Sequence, residues 1–280
     1  HSKLVRNTKH FGLPQNRPRA FFIAFDRRLY DGLFEEIDDN LPTELWRTMR
    51  NNPLLNRSLD QLIEPNADIH YYMSATYLNT LINHRNRNKK NGNGYGYCIV
   101  NDPNREQKTA NTILATGGSG KERNLIIQQM PEYDPEDPVV KKKKGGLNNK
   151  NVRIMTPTEW GRLQGFIGYG FVDENGVDHF RFPENMPESQ KYKQFGNSVS
   201  IPVIETMAYY ILNCLEIFNE HKEKIILNYL RYYGKITKRN VEELFDISKD
   251  EATKLLHKMQ RDNLIKCSGR GRGAGYTLQD

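Results

Sequence analysis

The sequence predicts an α/β chain that ends in a separate, mostly helical unit. Apolar residues predict a buried strand from Ala20 to Phe25, and their helical spacing predicts a helix from about Ile201 to Phe218. A shorter helix is predicted near Thr158 to Gln164, whereas the region between the strand and the helices is mostly irregular. We therefore expect four stretches, residues 1–25, 26–150, 151–218 and 219–280.

Composition and charge limit the classes of protein to which this chain can belong. The chain has 280 residues, of which 37% are hydrophobic and 27% charged, so it can form a core. A net charge of +7 suits a surface that binds a polyanion, although charge alone is weak evidence. The three cysteines have neither disulfide nor zinc spacing. No apolar run approaches the roughly 20 residues that span a bilayer, and no signal peptide is visible, so we expect a cytoplasmic protein.

The first stretch carries a basic motif ahead of the predicted strand. This motif is Phe11-Gly12-Leu13-Pro14-Gln15-Asn16-Arg17-Pro18-Arg19. We expect an exposed loop through Gln15 and Arg19 that leads into the buried strand. The strand's buried side chains are predicted to be Phe21, Phe22, Ile23 and Phe25.

The second stretch combines one helix with loops. Leu78, Leu81 and Ile82 have helical spacing, and the glycine and asparagine cluster from Asn88 to Gly96 predicts a loop. Residues 131–144 predict a charged surface loop. A glycine loop lies between Thr112 and Leu125, but it is a poor candidate for a phosphate-binding P-loop, because Glu122 follows Lys121 where that loop needs Ser or Thr.

The third stretch contains two further motifs. One is Arg153-Ile154-Met155-Thr156-Pro157-Thr158-Glu159-Trp160-Gly161-Arg162-Leu163-Gln164-Gly165-Phe166, and the other is Gln194-Phe195-Gly196-Asn197-Ser198-Val199 followed by Ile201-Pro202. Thr156, Pro157 and Glu159 have the pattern of a helix start, with a capping residue, a proline in the first position and an acid in the first turn. We predict a mainly structural role here, in which Arg153, Glu159 and Arg162 pair or brace residues 26–150 against residues 1–25 and 151–218.

The last stretch predicts three short helices and a hairpin. Ile225, Ile226, Tyr229 and Leu230 indicate the first helix. The second is capped by Thr237 and runs through Val241, Leu244 and Phe245, and the third begins with a capping box from Ser248 to Glu251. A glycine and arginine segment from Cys267 to Gly275 follows. This order resembles a winged helix-turn-helix, which implies DNA contacts by Arg270 and Arg272 in the wing; the alternative is a small helical packing domain.

Taken in order, the motifs of the first and third stretches resemble the last three motifs of the DNA (cytosine-5) methyltransferases. The resemblance covers roughly residues 5–25 and 150–212, and Ile167 departs from the proline that is common in the family. It implies the C-terminal remainder of a Rossmann-like methyltransferase domain at residues 1–25 and 151–218. It also implies an irregular target-recognition domain at 26–150, ahead of the small winged-helix domain.

The resemblance also assigns roles to residues. A cytosine must leave the duplex stack before its C5 can react. By position, Arg19 would contact the flipped cytosine, while Gln15 and Arg17 would brace the active-site loop and the DNA. An alternative for this motif is a plain basic surface loop.

The cofactor and base contacts follow in the same way. Asn197, Ser198 and Val199 would bind S-adenosylmethionine, although Asn197 or Ser198 could instead simply cap the helix that begins at Ile201. Lys121, Arg123 and Asn124 lie where the family contacts bases, with a plain hairpin turn as the alternative.

One chemical group that the family requires is not found in this sequence. In the family, the cysteine nucleophile directly follows a proline, whereas Cys98, Cys214 and Cys267 do not. The sequence also has no glycine-rich turn after a first strand that could bind the cofactor. We therefore expect a C-terminal portion or one subunit of a split enzyme. It would act on double-stranded DNA with a separate N-terminal catalytic portion. The alternative is a non-catalytic DNA-binding or regulatory protein that uses the winged tail.

Overall fold

A computed structural model describes most of the chain. The described residues are 4–36, 44–47, 50–93, 96–106, 108–116, 124–269 and 274–279. They fall into two compact units. The first unit comprises residues 3–21 and 46–206, and the second comprises the described parts of 22–45 and 207–280.

Both units contain strands and helices. The strands are β1 (Leu4–Asn7), β2 (Gln15–Asn16), β3 (Pro18–Phe21), β4 (Cys98–Ile99), β5 (Ala110–Asn111), β6 (Asn124–Ile127), β7 (Val152–Ile154), β8 (Ile265–Ser268) and β9 (Gly275–Leu278). The α-helices are α1 (Arg27–Tyr30), α2 (Leu59–Leu62), α3 (Ala75–Lys90), α4 (Pro138–Lys141), α5 (Pro157–Gln164), α6 (Glu188–Asn197), α7 (Ile201–Glu220), α8 (Lys222–Tyr233), α9 (Lys238–Phe245) and α10 (Lys249–Arg261). Single 3-10 turns lie at Thr8–His10, Phe34–Glu36 and Ile69–Tyr71. The chain is therefore of mixed α/β class.

Small sheets organise the first unit. Antiparallel β1 and β3 pair from Leu4 opposite Phe21 to Asn7 opposite Pro18. β2 runs parallel to β5, and β4, β6 and β7 form a three-stranded sheet with β6 in the centre. These short sheets bring the basic motif next to residues from the middle of the chain.

One apolar core packs helices α2, α5 and α6 against β5, β6 and the residues that follow β4, β5 and β7. Its buried members are Leu59, Leu62, Val100, Ala110, Ile113, Ile126, Met155, Trp160, Leu163, Tyr192 and Phe195. The core therefore joins the recognition stretch, residues 26–150, to both motifs of the third stretch.

The predicted helix starts are confirmed, but the first predicted strand is partly wrong. Thr156 accepts a hydrogen bond from the Glu159 amide in a full capping box, and Thr237 and Ser248 cap their helices in the same way. The strand, in contrast, ends at Phe21, and Phe22 is 87% exposed. Among the described residues β3 pairs only with β1, and this pairing ends at Phe21 opposite Leu4.

Two predicted loops contain helical residues. Helix α3 extends through Lys90, so the asparagine-rich loop begins only at Asn91. The charged segment contains the short helix α4, whose first turn is capped by the Asp137 carboxylate. Local composition therefore predicted neither the last turn of α3 nor the short helix α4.

Aromatic packing organises the second unit. Phe218 near the end of α7 contacts the rings of Phe25, Tyr30 and Phe34, with centroid distances between 4.7 and 6.2 Å. The Asn228 side chain donates to the carbonyls of Leu29 and Asp31. The segment after β3 therefore packs with the C-terminal helices, and the two units do not follow the four predicted stretches.

The C-terminal segment has three helices and a hairpin. α8, α9 and α10 are followed by antiparallel β8 and β9, and Ile236 forms a further bridge with Tyr276. Val241, Ala252, Leu256 and Met259 are fully buried between them. The three predicted helices are therefore confirmed.

One described helical stretch, Glu188–Glu220, is long and apolar enough to cross a membrane by those two criteria. Core helices of proteins outside membranes pass the same test, so this observation is weak evidence.

Candidate functional site

The glutamine of the basic motif is buried at a junction of distant segments. Gln15 has no exposed surface, so the prediction of an exposed loop is wrong at this position. Its Nε2 donates to the Leu163 carbonyl at 3.0 Å, and its Oε1 accepts from the Ile113 amide at 3.3 Å. One side chain thus holds the end of α5 and the recognition stretch against the basic motif.

Arg17 is buried in the same junction. It is 2% exposed, and its Nη1 donates to the Ile113 carbonyl at 2.6 Å. Its Nη2 donates to the Gly196 and Ser198 carbonyls at 2.9 and 2.7 Å. Burial, with a smaller contribution from Arg19, lowers the pKa of Arg17 to about 10, so the guanidinium is still charged at neutral pH. The two hydrogen bonds from Nη2 of this charged group hold the carbonyls of Gly196 and Ser198 in place.

A chain of buried hydrogen bonds completes the junction. The hydroxyls of Thr8 and Ser200 share a hydrogen bond of 2.8 Å, and Ser200 Oγ donates to Gln164 Oε1 at 2.6 Å. Gln164 Nε2 then donates to the Phe195 carbonyl at 3.1 Å. Because buried polar groups are costly when unpaired, these matched partners favour one arrangement of the three motifs.

Arg19 differs from Gln15 and Arg17. It is partly exposed, and its Nη1 donates to the adjacent Pro18 carbonyl at 2.8 Å. Arg6 lies directly opposite on β1, which places two like charges side by side on the small sheet. Like charges directly opposite each other on a sheet repel each other.

The glycine-asparagine-serine segment ends helix α6. Asn197 is the last residue of that helix and is exposed, and the half-buried Ser198 donates from Oγ to the Phe195 carbonyl at 2.8 Å. Val199 is half-buried. The alternative in which Asn197 or Ser198 caps the next helix is wrong, because Ser200 directly precedes α7 and its carbonyl accepts the first helical bonds.

Gly196 allows the backbone of Leu114 and Ala115 to approach helix α6 closely. A Cβ atom at this position would lie 2.4 Å from both the Leu114 carbonyl carbon and the Ala115 nitrogen. The glycine therefore lets α6 pack on the recognition stretch, beside the carbonyls that Arg17 binds.

The start of α5 contains a fully buried ion pair. Arg153 and Glu159 are both 0% exposed, with Nη2 to Oε1 at 2.6 Å and Nη1 to Oε2 at 3.0 Å. Glu159 also accepts from the Glu64 amide at 2.9 Å, and Arg162 donates to the Leu62 carbonyl at 2.9 Å. The predicted bracing by Arg153, Glu159 and Arg162 is therefore confirmed.

Among the predicted DNA contacts, Asn124 is the one that the structure describes. It is 5% exposed, its Oδ1 accepts from the Asn111 amide, and its Nδ2 donates to the Asn111 carbonyl. Asn124 thus joins β5 to β6, and a base contact is no longer expected from it. Lys121, Arg123, Arg270 and Arg272 lie outside the described residues.

The three cysteines have ordinary surroundings. Cys214 is fully buried, and burial raises the pKa of its thiol, which disfavours the thiolate. Cys98 is half-buried and accepts a hydrogen bond from Arg105, and Cys267 is exposed on β8. None of them lies at the motif junction described above.

The family model for C-5 cytosine-specific DNA methylases matches residues 2–213. The chain belongs to this family. The match contains all three motifs and the junction between them, and it ends before helices α8 to α10.

Several methylases are similar in sequence. Type II methyltransferase M.HpaII of Haemophilus parainfluenzae is 34% identical over 75% of this chain and 50% of its own length. Type II methyltransferase M1.ScrFI of Lactococcus lactis subsp. cremoris is 30% identical over 77% of this chain and 44% of its own length. The structure of the Entamoeba histolytica methyltransferase EhMeth matches 76% of this chain and 53% of that one, with 18% identity and a TM-score of 0.39. The chain thus spans about half the length of the curated methylases that it matches.

Two residues of this methylase junction, Thr8 and Ser200, lie outside the sequence motifs. Their hydroxyls connect the first motif to the other two. The one signal was that Ser200 directly precedes a helical apolar pattern, which is a common capping position. For Thr8 the sequence carried no signal, because its partner is 192 residues away.

Proposed function

We propose that this chain is the target-recognition and site-closing part of a DNA (cytosine-5) methyltransferase. The observation that carries the proposal is the set of bonds from Gln15 and Arg17. Two buried side chains of the first motif bind the backbone of both other motifs and of Ile113 in the recognition stretch. The residues that would contact the base and the cofactor therefore belong to one braced structure.

In this reaction the enzyme holds a flipped cytosine while a methyl group is added at C5. Attack by a cysteine thiolate on C6 makes C5 nucleophilic, and loss of the C5 proton and of the thiolate then restores the ring. Arg19 contacts the cytosine and stabilises negative charge on it, since its guanidinium is partly exposed and charged. The nucleophile comes from a portion of the enzyme beyond these 280 residues, because no cysteine here has the family's Pro-Cys context.

S-adenosylmethionine, when bound, supplies the methyl group. Asn197 fits a polar contact to it, because its amide is exposed at the end of α6. Ser198 fits less well, since its hydroxyl proton is already donated to Phe195, and Val199 offers only an apolar edge. These three residues suit a segment that closes over the cofactor. The remaining contacts to the cofactor would come from the portion of the enzyme that carries the nucleophile.

Exposed apolar side chains support the proposal that the portion carrying the nucleophile packs against this chain. Among the described residues, the sheet of β1 and β3 has only two strands, although such sheets are marginal in water alone. Val5 on this sheet is 47% exposed and Ile204 on α7 is 46% exposed. We propose that the nucleophile-bearing portion covers these side chains and continues the sheet, which completes a Rossmann-like domain.

The C-terminal segment serves as a winged helix-turn-helix in this proposal. Its order of three helices and a hairpin, with Ile236 bridged to Tyr276, supports the assignment. Arg270 and Arg272 belong to the hairpin connection in sequence and would contact DNA phosphates.

An arginine substitution tests the proposal in a longer chain that also contains the nucleophile-bearing portion. Arg19→Ala should lower kcat for methyl transfer by at least tenfold, because a charged contact to the base is lost. Arg27→Ala, which removes an exposed arginine paired with Asp31, should leave kcat unchanged. Equal activity of the Arg19→Ala and Arg27→Ala enzymes would refute the role of Arg19.

A second variant separates the cofactor contact. Asn197→Ala should raise KM for S-adenosylmethionine several-fold while the melting temperature stays unchanged, because the amide is exposed. Unchanged KM would remove Asn197 from the cofactor site.

A further inference from the structure

A cluster of tyrosine rings lies on the surface of the second unit, at the end of α8. Tyr232 is 61% exposed and Tyr233 is 45% exposed. The ring of Tyr233 contacts that of Tyr232, with centroids 4.9 Å apart, and that of Tyr229, with centroids 4.5 Å apart. Tyr232 and Tyr233 follow Tyr229 by three and four residues, so the three rings share one side of the helix.

Arg28 on α1 joins this cluster. Its guanidinium carbon lies 5.2 Å from the ring centroid of Tyr232 and 5.6 Å from that of Tyr233. The Asp26 carboxylate accepts from the same guanidinium twice, from Nε at 2.9 Å and from Nη2 at 2.7 Å. Two parallel contacts of this kind fix the plane of the guanidinium. We call Arg28, Tyr229, Tyr232 and Tyr233 the tyrosine platform.

The platform stands on a packed part of the second unit. Ile225, Ile226 and Leu230 of α8 are buried. The Asn228 side chain donates to two carbonyls in the segment that carries Arg28. A ligand that stacks on the rings would therefore not need to order the helix first, which lowers the cost of binding.

The surface beside the platform is basic. Residues 229–239 include four basic side chains and no acidic one: Arg231, Lys235, Lys238 and Arg239. Arg239 is paired with Glu243 of α9, whereas Arg231 donates to the neutral amide oxygen of Asn228. The local charge is therefore positive, which suits phosphate groups.

The composition of this surface favours a nucleic acid over a protein partner. The aliphatic residues of the same segment, Leu230 and Ile236, are buried, so aromatic rings and cations dominate what is exposed. The cores of protein interfaces are depleted of charged residues. Proteins that bind single strands, in contrast, combine a basic surface along the backbone with aromatic side chains on which bases stack. In a duplex the base faces are covered by their neighbours.

We propose that the tyrosine platform binds single-stranded DNA, with one base stacked on Tyr232 and the adjoining phosphates beside Arg231 and Lys235. The ligand is DNA because the chain belongs to a family of DNA methylases. Stacking uses ring faces and not base edges, so we expect little dependence on base sequence. This activity goes beyond the proposed function, and it would hold the enzyme near unpaired stretches of DNA such as gaps and ends.

Binding of the 280-residue chain to a short single-stranded oligonucleotide tests this proposal. The oligonucleotide carries a fluorescent base analogue whose emission falls on stacking. Tyr232→Ala should weaken binding by about fivefold or more and remove most of the quenching, because one stacked base is lost. Tyr232→Phe keeps the ring and should bind as the native chain does. Tyr209→Ala is the matched control, because it removes a tyrosine that is 46% exposed but lies on α7, and its affinity should not change.

A duplex of the same sequence separates the platform from the winged helix-turn-helix. Tyr232→Ala should bind this duplex as tightly as the native chain does, since paired bases do not reach the rings. Equal losses of affinity for the single strand and the duplex would overturn the proposal. Native affinity of Tyr232→Ala for the single strand, or an equal loss in Tyr209→Ala, would overturn it as well.

Two further measurements test the choice of ligand. RNA of the same sequence should bind no more tightly than the DNA strand, and tighter RNA binding would refute DNA as the ligand. A longer chain with the nucleophile-bearing portion should retain the affinity for single strands. Loss of that affinity would mean that the added portion covers the platform, which would also refute the proposal. None of these measurements requires methyl transfer, so their failure is distinct from failure of the proposed function.

Discussion

At the residue scale, Arg17 links more of the site than any other side chain described above. Its planar guanidinium donates to carbonyls of Ile113, Gly196 and Ser198, and these acceptors are separated along the chain. Lysine places its donors on one small ammonium group and does not reproduce this fork. The residue therefore has a structural role, although its motif also carries the proposed base contact.

Arg17→Lys should lower the free energy of unfolding by about 2–4 kcal/mol, because at least one charged hydrogen bond is lost in a buried site. Urea denaturation measures the change. Arg27→Lys, which alters an exposed pair with Asp31, serves as the control and should leave the transition unchanged. An Arg17→Lys protein as stable as the control would show that the three carbonyls do not depend on the guanidinium.

A second residue-scale prediction concerns His70. Its Nδ1 lies 2.7 Å from Asp68 and its Nε2 lies 3.3 Å from Glu188, the first-turn acid of α6, and Tyr71 also donates to Glu188. The hydrogen bond with Glu188, opposed by burial and helped by Asp68, raises the pKa of His70 above 6.5. The hydrogen bonds from His70 lower the pKa of Glu188 below 4.5 and that of Asp68 below 3.8. Lys143 also faces this cluster: its Nζ donates to the His70 carbonyl, and burial lowers its pKa.

The sign of the pH effect follows from these directions. The contribution of His70 is fully present below pH 6.5 and is lost as pH rises through its raised pKa, whereas those of Glu188 and Asp68 are lost only in acid. Because the groups are partly exposed, we expect a loss of about 0.5–1 kcal/mol between pH 6 and pH 8. Unfolding free energies should show this loss in the native chain and not in His70→Gln. A variant with the same pH dependence would exclude His70 as its source.

The sequence predicted which residues matter in the first motif but not how they are placed. Gln15 and Arg17 were expected in an exposed loop, because basic and amide side chains are usually exposed. Their burial depends on carbonyls that lie 96 to 181 residues away, which no local pattern encodes. The hydrogen bond between Thr8 and Ser200 could not be predicted for the same reason, because the two residues are 192 positions apart.

At the element scale, helix starts were predictable and the first strand was not. The caps at Thr156, Thr237 and Ser248 involve residues within one turn, so the sequence contains all the partners. A strand is defined by its neighbours, and the apolar run from Ala20 to Phe25 has none beyond Phe21 among the described residues. Local chemistry therefore predicts helix boundaries better than sheet membership.

Two helical glycines provide an element-scale prediction. Alanine normally favours a helix over glycine by about 1 kcal/mol. Gly196→Ala should still destabilise the chain by about 1–3 kcal/mol, because its Cβ would meet the backbone of Leu114 and Ala115 at 2.4 Å. Gly161→Ala meets only the ends of the Ile167 and Phe195 side chains, at 2.6 and 2.8 Å, so it should cost less.

Thermal denaturation of both glycine variants checks this order. The Gly196→Ala protein should unfold at the lower temperature, and hydrogen exchange at Ser198 should increase more than in Gly161→Ala. The reverse order would mean that α6 can move away from the recognition stretch.

At the scale of the whole molecule, distant segments form each compact unit. The second unit combines residues 22–36 with the chain after residue 207, although the sequence divided these segments between separate domains. The aromatic residues Phe25, Tyr30 and Phe34 around Phe218 explain the grouping. Aromatic side chains in irregular sequence gave no indication of their partner.

The second unit should lose stability when its central ring is removed. Phe218→Ala deletes a fully buried side chain and should cost about 3–5 kcal/mol, measured by hydrogen exchange of the amides in α8 to α10. Leu212→Ala on the same helix, where Leu212 is 53% exposed, is the control and should have little effect. Equal exchange in both variants would show that residues 22–36 do not stabilise these helices.

Methyl transfer tests the central claim most directly, that this chain recognises DNA and closes the site but does not carry the nucleophile. The assay follows labelled methyl groups from S-adenosylmethionine to duplex DNA, with the 280-residue chain alone and with a longer chain that includes a Pro-Cys portion. We predict no transfer above background by the first and clear transfer by the second. Transfer by the 280-residue chain alone would contradict this account.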